Sequence, residues 1–291
     1  MWQLYALSAI VFNCLEDITD KLAMNGSAAI DADVATFIRV ALYCMLVIPI
    51  TALFGYLVSW YCSPGIVFFG LASALMSSAY TVVLKRVNIT TLAVFAYIAP
   101  IIFLVIDNAI GNNFTFVQVC AILGLVVGGI GFAMDDRLKF DKLTMAAVVF
   151  MFVYSGAEIY YAKWMFKNEG LSVISLFANV WGWAAVFLAA HLIVRRKVPL
   201  LLTRQAATYT KLSTLAKSFD VAISLLWGIG VTMTTVAQFS SMEVFFPPVM
   251  LAMALLAQTC FGINIGEHVE RQVIARKVSM AAVLVVSGMF V

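Results

Sequence analysis

Charged side chains are scarce in this chain of 291 residues: they make up 11% of it, whereas a soluble domain has about 25%. Hydrophobic residues make up 64%, against ~45–50% in a soluble domain, and the mean hydropathy is +1.01. With so few charges the chain cannot cover its surface for water, so we predict a polytopic membrane protein. The net charge of +3 is small and no basic-aromatic motif occurs, so a nucleic-acid partner is not expected.

Residues that bind metals or carry enzyme chemistry are also few. The two histidines, His191 and His268, are far apart, and the five cysteines have no CxxC spacing, so we expect no metal site and no cofactor. The sequence has no P-loop and no Ser/His/Asp set, so we do not expect an enzyme. A membrane enzyme that uses only the neighbouring carboxylates Glu16, Asp17 and Asp20 stays an alternative.

Several of the scarce charges stand together in what otherwise predicts the first membrane-spanning helix: Glu16, Asp17, Asp20 and Lys21. A charge at the bilayer centre costs ~2.5–3.5 kcal/mol on insertion scales, so this cluster needs an explanation. Glu16 and Asp20 are i,i+4 neighbours on one helix face, and so are Asp17 and Lys21. We therefore expect a polar helix side that faces a protein interior or a water-filled cavity.

The same pattern returns in the second half of the chain. Glu158 and Lys163 follow Glu16 and Lys21 at a constant spacing of 142 residues, inside another apolar segment. The echo is partial, because the intervening acids are not repeated. It nevertheless indicates an internal repeat.

Ten segments have the ~20 mostly apolar residues that a membrane-spanning helix needs. They are approximately residues 3–24, 34–57, 65–84, 89–108, 116–134, 143–165, 171–194, 219–240, 243–263 and 273–291. We therefore predict an all-α protein with two five-helix repeats, residues 1–138 and 139–291. Because five is odd, two similar halves would be inverted in the membrane, an architecture whose substrate sites lie near the midplane between the halves.

One long connection is predicted, at residues 195–218, with six basic residues and no acid. It is interpreted either as a surface segment for lipid headgroups or regulation, or as a cytoplasmic topology anchor. Other basic residues crowd the loops after predicted helices 3, 5 and 9. The positive-inside rule then places both termini outside the cytoplasm.

An ordered set of motifs runs through both halves. It comprises Lys21 and Lys163 closing helices 1 and 6, Arg39 early in helix 2, Pro100 in helix 4 with Pro247 and Pro248 in helix 9, Gly266-Glu267 after helix 9, and glycines in the last helix of each half. With these motifs the chain resembles, over essentially its whole length, the EamA-like ten-helix branch of the drug/metabolite transporter superfamily. The resemblance implies a secondary transporter with both termini cytoplasmic, against the charge bias. Gly111-Asn112 departs from the Gly-Glu that the family tends to show there, and the resemblance does not select a substrate.

Carboxylates of helices 1 and 6 are the strongest candidates for the working groups, namely Glu16, Asp20 and Glu158. Carboxyl groups held away from water can exchange protons near neutral pH, which suits a proton-coupled carrier; alternatively the acids of helix 1 pair with Lys21 as structural groups. Lys21 and Lys163 could bind a substrate carboxylate or extend to headgroups. Arg39 could pair with Asp31, Asp33 or a headgroup, or contact substrate.

A second group of candidates consists of aromatic, amide and proline side chains within the spans. These are Tyr80, Tyr97, Trp181 and Trp227 as cavity walls, Gln238 as a cavity or interhelical amide, and Pro100, Pro247 and Pro248 as kinks that form a gate or simply shape the helices.

The expected function is therefore secondary transport of a small polar metabolite, amino-acid-like or an amine, by alternating access and with possible proton coupling. The alternatives are a broad exporter of amphipathic or cationic compounds and, from another class, a membrane sensor, a scaffold or a lipid-acting enzyme. The expected partners are a small-molecule substrate, protons and lipids. We expect a multi-pass monomer or homodimer in the plasma (inner) membrane.

Overall fold

A computed structural model gives the fold of most of the chain. It describes residues 2–27, 30–53, 62–86, 106, 108, 111, 115–133, 142–169, 173–234, 239, 242–262 and single residues or short runs between 275 and 287. Within these ranges the chain is helical and has no strand. The predicted all-α class is therefore confirmed, while the predicted spans at 89–108 and 273–291 lie largely outside the described residues.

Eight α-helices are described in full. They are α1 (Trp2–Gly26), α2 (Ala32–Leu53), α3 (Pro64–Arg86), α4 (Phe116–Ala133), α5 (Lys142–Glu169), α6 (Val173–Val194), α7 (Arg204–Thr232) and α8 (Phe246–Phe261), with short 3-10 helices at Val198–Leu202 and Met242–Phe245. Stretches within α2, α3, α6 and α7 are long and apolar enough to cross a membrane: Ala32–Ile50, Pro64–Leu84, Ser175–Val194 and Arg204–Gly230.

The basic loop predicted at residues 195–218 is wrong from residue 204 onward, where α7 begins. The hydroxyl oxygen of Thr203 accepts a hydrogen bond from the backbone N–H of Ala206 at 3.3 Å and caps the helix. Tyr209 and Ser213 are buried one turn apart, whereas Lys211 between them is exposed. The basic residues lowered the hydropathy of this segment without breaking its helical periodicity, so the predicted span at 219–240 began too late.

The helices pack in a set of neighbouring pairs. α1 lies along α7 and also contacts α8, while α2 contacts α6 and α7. α3 contacts α5 and α6. Glu16 and Asp20 of α1 contact Lys217 of α7 and Arg39 of α2, so the charged face of α1 is turned towards these two helices.

On α3, large apolar side chains are exposed on one face, and small polar side chains are buried on another. On α3 the exposed side chains include Phe68, Leu71 and Leu75, which follow i, i+3, i+7 spacing, and the buried ones include Ser73, Ser77 and Thr81, which follow i, i+4, i+8 spacing. The inner hydroxyls bond to the helix itself and to a neighbour, as when Thr36 donates to Thr81 at 2.9 Å. This distribution fits a helix bundle with lipid around it.

A close helix contact fixes α3 against α6. A Cβ atom added at Gly70 would lie 2.3 Å from the Cβ of Trp183 and 3.1 Å from the carbonyl oxygen of Val180. Real Cβ atoms do not approach so closely, so a side chain at residue 70 would push the two helices apart. Glycine therefore sets the distance between these helices, which border the cavity described next.

Candidate functional site

A cavity of about 190 Å³ lies among α1, α2, α3, α6 and α7. It is lined by Asn13, Glu16 and Asp17 of α1, Arg39, Val40 and Tyr43 of α2, Met76, Ser77 and Tyr80 of α3, Trp181 of α6, and Lys217 and Asp220 of α7. This volume is the space open to the centre of a water-sized sphere, of which a single water needs only ~10–15 Å³. The cavity therefore has room for several waters or a small polar solute.

Lys217 is the centre of the charged groups at this cavity. Its ammonium contacts a carboxylate oxygen of Glu16 and lies 2.8 Å from Asp220 Oδ2, one turn further along α7. It also lies 3.7 Å from Asp20 Oδ2. The side chain is 4% exposed, so its charge is balanced by these carboxylates rather than by water.

Arg39 is the second buried cation. Its Nη2 atom lies 2.8 Å from Asp20 Oδ2 and 3.7 Å from Glu16 Oε1. Neither oxygen of Asp20 has a well-aligned hydrogen bond among the described residues, so the 2.8 Å contact is chiefly an ion pair. The guanidinium also lies 4.3 Å from the ring centroid of Tyr80, whose hydroxyl donates to Asp17 Oδ1. Such a cation–π contact contributes ~0.5–2 kcal/mol.

Carboxyl groups outnumber the cations in this network. The described network contains four carboxyl groups and two cations, namely Glu16, Asp17, Asp20 and Asp220 with Arg39 and Lys217. The Asp220 side chain is 25% exposed, whereas those of Arg39 and Lys217 are 9% and 4% exposed. A solute or proton that enters the cavity therefore meets a carboxylate more readily than a positive charge.

The structure brings several of the residues predicted from the sequence to this place. Glu16, Tyr80 and Trp181 line the cavity, and Asp20 lies directly behind it in contact with both cations. Lys21 is not among the described cavity-lining residues: its ammonium donates to the carbonyl oxygen of Leu84, near the end of α3, at 2.7 Å.

Glu158 occupies a different position, on α5. It shares a hydrogen bond with Tyr154, whose hydroxyl lies 2.5 Å from that of Ser73 on α3. Its Oε1 atom is buried and has no hydrogen-bond partner among the described residues. Glu158 is absent from the described lining of the cavity, so the two carboxylates matched by sequence spacing lie in different surroundings. Lys163 lies on α5, and its side chain is outside the described residues.

Trp227, Pro247 and Pro248 are not among the described residues that line the cavity. Trp227 packs edge-to-face on Phe239 with ring centroids 5.0 Å apart, which is a packing contact. Pro247 and Pro248 lie in the first turn of α8, directly after the 3-10 helix Met242–Phe245, and a proline is readily accommodated in a first turn; their role in a gate stays a prediction. Tyr97, Gln238 and Pro100 lie outside the described residues.

Lys217 and Asp220 were missed by the sequence analysis, together with Asn13 and Tyr43. A cue for the first two was present. A base and an acid at i,i+3 at the start of an apolar run indicate an internal ion pair, just as the acids of α1 did.

The predicted pairing of Arg39 with Asp31 or Asp33 is wrong, because both acids bind another cation. Lys197 Nζ lies 2.8 Å from Asp31 Oδ2 and 2.6 Å from Asp33 Oδ2, and His191 Nε2 lies 3.5 Å from the same Asp33 oxygen. We call Asp31, Asp33, His191 and Lys197 the α2–α6 clamp, because it ties the start of α2 to the end of α6.

The α2–α6 clamp is expected to weaken at both extremes of pH. Burial favours the neutral form of Asp31, but hydrogen bonds from Lys197 and from the backbone N–H groups of Val34 and Asp33 outweigh it and lower the pKa of Asp31. Hydrogen bonds to Asp31 and Asp33 raise the pKa of Lys197. The contribution of Asp31 is present above its ordinary pKa of about 3.9 and is lost as the pH falls through the lower folded value. That of Lys197 is present below about 10.4 and is lost as the pH rises through the higher folded value.

The measurement compares the melting temperatures of wild type and Lys197→Met between about pH 3 and pH 11. We expect the deficit of the variant to be constant from about pH 5 to pH 9 and to shrink outside that window. Arg195→Met, which removes an exposed charge two residues away, is the control and should show little deficit. A Lys197→Met deficit that grew below pH 4 would contradict this assignment.

Comparisons with known proteins add a fold and no function. No protein-family model matches the chain, and no curated protein matches it in sequence. Among the 28 matching chains of solved structures is one described as "Crystal structure of protein", with a TM-score of 0.65 and 17% sequence identity over 99% of this chain and 95% of that chain. At that identity the likeness concerns the fold alone.

Proposed function

We propose that this protein is a secondary transporter that moves a small polar solute across a membrane through the cavity at Glu16, Lys217 and Asp220. The observation that carries the proposal is the cavity itself: it has room for several waters, it is lined by largely buried charged side chains, and it lies in a helix bundle with many exposed apolar side chains. Ionisable groups in membrane helices are costly, and they usually mark pathways for ions, protons or substrates.

The proposed architecture is the ten-helix, two-repeat arrangement of EamA-like drug/metabolite transporters, with repeats at residues 1–138 and 139–291. The helix neighbours support it. The two-repeat arrangement matches α1 with α5, α2 with α6, and α3 with α7. Under this exchange the contact between α1 and α7 corresponds to that between α5 and α3, and the contact between α2 and α7 corresponds to that between α6 and α3. All four of these helix pairs are in contact. The spacing of Glu16 and Glu158 follows the same exchange. In this proposal the chain is a multi-pass protein of the plasma (inner) membrane, a monomer or a homodimer.

The proposed mechanism uses the excess of carboxyl groups. With Glu16, Asp20 and Asp220 around Arg39 and Lys217, a proton or a cationic group would complete the charge balance. Solute and proton would then compete for, or share, the same carboxylates. Rocking of one repeat against the other would open the cavity to each side in turn, with Glu16 or Glu158 carrying the proton.

A broad exporter of amphipathic or cationic compounds is the second candidate, and the aromatic lining favours it. Tyr43, Tyr80 and Trp181 line the same cavity as the carboxylates, and aromatic faces bind organic cations.

The test is solute flux in proteoliposomes across a pH gradient, with a panel of labelled amino acids, amines and lipophilic cations. We expect uptake driven by the pH gradient in wild type, a fall of roughly tenfold or more in Glu16→Gln, and loss in Glu16→Gln/Glu158→Gln, because a neutral amide cannot carry the proton. Glu169→Gln, at an exposed residue of α5, is the matched control and should transport normally.

Each other result of the flux experiment would indicate a different function. Full pH-driven flux in the double variant would remove both carboxylates from the coupling step. Product formation from added lipid without flux would indicate a lipid-acting enzyme. A folded protein that shows neither flux nor product would be a sensor or a scaffold.

A further inference from the structure

The two cations at the cavity are already occupied. Lys217 contacts Glu16 and Asp220, and Arg39 contacts Asp20 and stacks on Tyr80. Both side chains are more than nine-tenths buried. A solute carboxylate would have to break one of these ion pairs before it could bind either cation. An amino-acid substrate therefore has no unpaired cation for its carboxylate among the described lining residues.

The accessible charge in the cavity is a negative one. Asp220 is bound to Lys217 through Oδ2, yet its side chain is a quarter exposed, more than that of Glu16 or Asp20. An incoming ammonium group can reach it without displacing another residue.

Two aromatic side chains line the same cavity as this carboxylate. Tyr43 and Trp181 both line the cavity, and their rings pack with centroids 5.5 Å apart at an angle of 52°. The hydroxyl of Tyr43 donates to Ser224, one turn beyond Asp220 on α7, so the part of Tyr43 left for a solute is its ring. A cavity that combines a carboxylate with aromatic rings in its lining suits an organic ammonium ion.

We infer that the cavity selects a small organic amine cation without a carboxylate, with Asp220 as its counter-ion and Trp181 and Tyr43 as its aromatic wall. This inference rests on the proposed function and narrows its solute class, since it excludes amino acids. The volume of about 190 Å³ has room for a small amine.

The test is the binding of matched compounds that differ only in their charged groups, measured by thermal stabilisation and by calorimetry on the purified full chain. One set is isobutylamine, valine and isovalerate, and the other is phenethylamine, phenylalanine and 3-phenylpropionate. At least one amine should bind, and its amino acid and its acid should bind roughly tenfold or more weakly, because the carboxylate meets Asp220 instead of a free cation. Absence of binding by both amines, or equal binding by the amino acids, would overturn the inference.

Substitutions at Asp220 and Trp181 then test whether these residues contact the amine. Asp220→Asn should weaken amine binding roughly tenfold to a hundredfold, and Asp220→Glu should retain most of it. If Asp220→Asn does not fold, Trp181→Leu serves instead and should weaken amine binding several-fold through the lost ring. Glu169→Gln, far along α5, should bind as wild type. Unchanged amine affinity in both Asp220→Asn and Trp181→Leu would also overturn the inference.

Flux separates this inference from the proposed function. Amine binding without flux in proteoliposomes would leave the solute class standing and refute transport. Amino-acid flux without amine binding would leave transport standing and refute the solute class.

Discussion

Replacing Lys217 with methionine is expected to cost ~3–5 kcal/mol of folding free energy, enough to prevent recovery of folded protein at ordinary temperature if the wild type is marginally stable. Methionine is also unbranched, is one heavy atom shorter than lysine and carries no charge. Glu16, Asp20 and Asp220 then face one another without the cation that contacts all three. An unpaired buried charge loses its hydration without compensation, which is the costliest outcome for an ion-pair network.

Tryptophan fluorescence during heating in detergent, together with the yield of monodisperse protein, measures this effect. Lys211→Met is the matched control, since Lys211 lies on the same helix but is exposed, and a change within about 0.5 kcal/mol is expected there. The Lys217→Met deficit should shrink at acid pH, because protonated carboxyls no longer need the cation. Equal deficits for the two variants would mean that Lys217 is not held in this network.

Removal of Arg39 should have a comparable effect, and it should be recoverable. Arg39→Met leaves Asp20, which is fully buried, without its 2.8 Å partner, so a loss of ~3–5 kcal/mol is expected. Adding Asp20→Asn removes the stranded charge, and the double variant should be more stable than Arg39→Met alone. Arg39→Lys should recover only part of the loss, because an ammonium can keep the ion pair with Asp20 but cannot reproduce the planar contact with the Tyr80 ring.

A double-mutant cycle on unfolding free energies gives the coupling between Arg39 and Asp20, which we expect to be ~1–3 kcal/mol. Glu16 shares the guanidinium at 3.7 Å, so the cycle should be repeated with Glu16→Gln, where a smaller coupling is expected. Strictly additive losses for Arg39 and Asp20 would show that their contact does not stabilise the fold.

The helical class and the inward polar face of α1 could be predicted from the sequence because each depends on local chemistry. Composition alone excluded a soluble chain. A helix that carries Glu16, Asp17 and Asp20 among apolar residues has to turn them inward, and the structure buries all three.

The partners of these acids could not be predicted in the same way. Within one helix, spacing limits which side chains meet, but Arg39 and Lys217 reach α1 through tertiary packing that the spacing does not encode. Lys217 was also assigned to a loop, because hydropathy averages over a window and six basic residues lowered that average. The structure buries Ala206, Tyr209 and Ser213 on one face of α7. Their helical spacing indicates a helix even where basic residues lower the mean hydropathy, so spacing predicts the start of α7 better than hydropathy does.

The distance along the chain between Glu16 and Lys217 has a consequence for how the protein is made. The two residues are 201 positions apart. At a synthesis rate of about 5–20 residues per second, the ribosome makes Lys217 some 10–40 s after Glu16. Arg39, the partner of Asp20, follows Glu16 within about 1–5 s at the same rate, but throughout the longer interval Glu16 lacks its close cation Lys217. The ion pair between Glu16 of α1 and Lys217 of α7 therefore forms only after most of the chain has been made, and the final packing of α1 depends on a helix that is made late in translation.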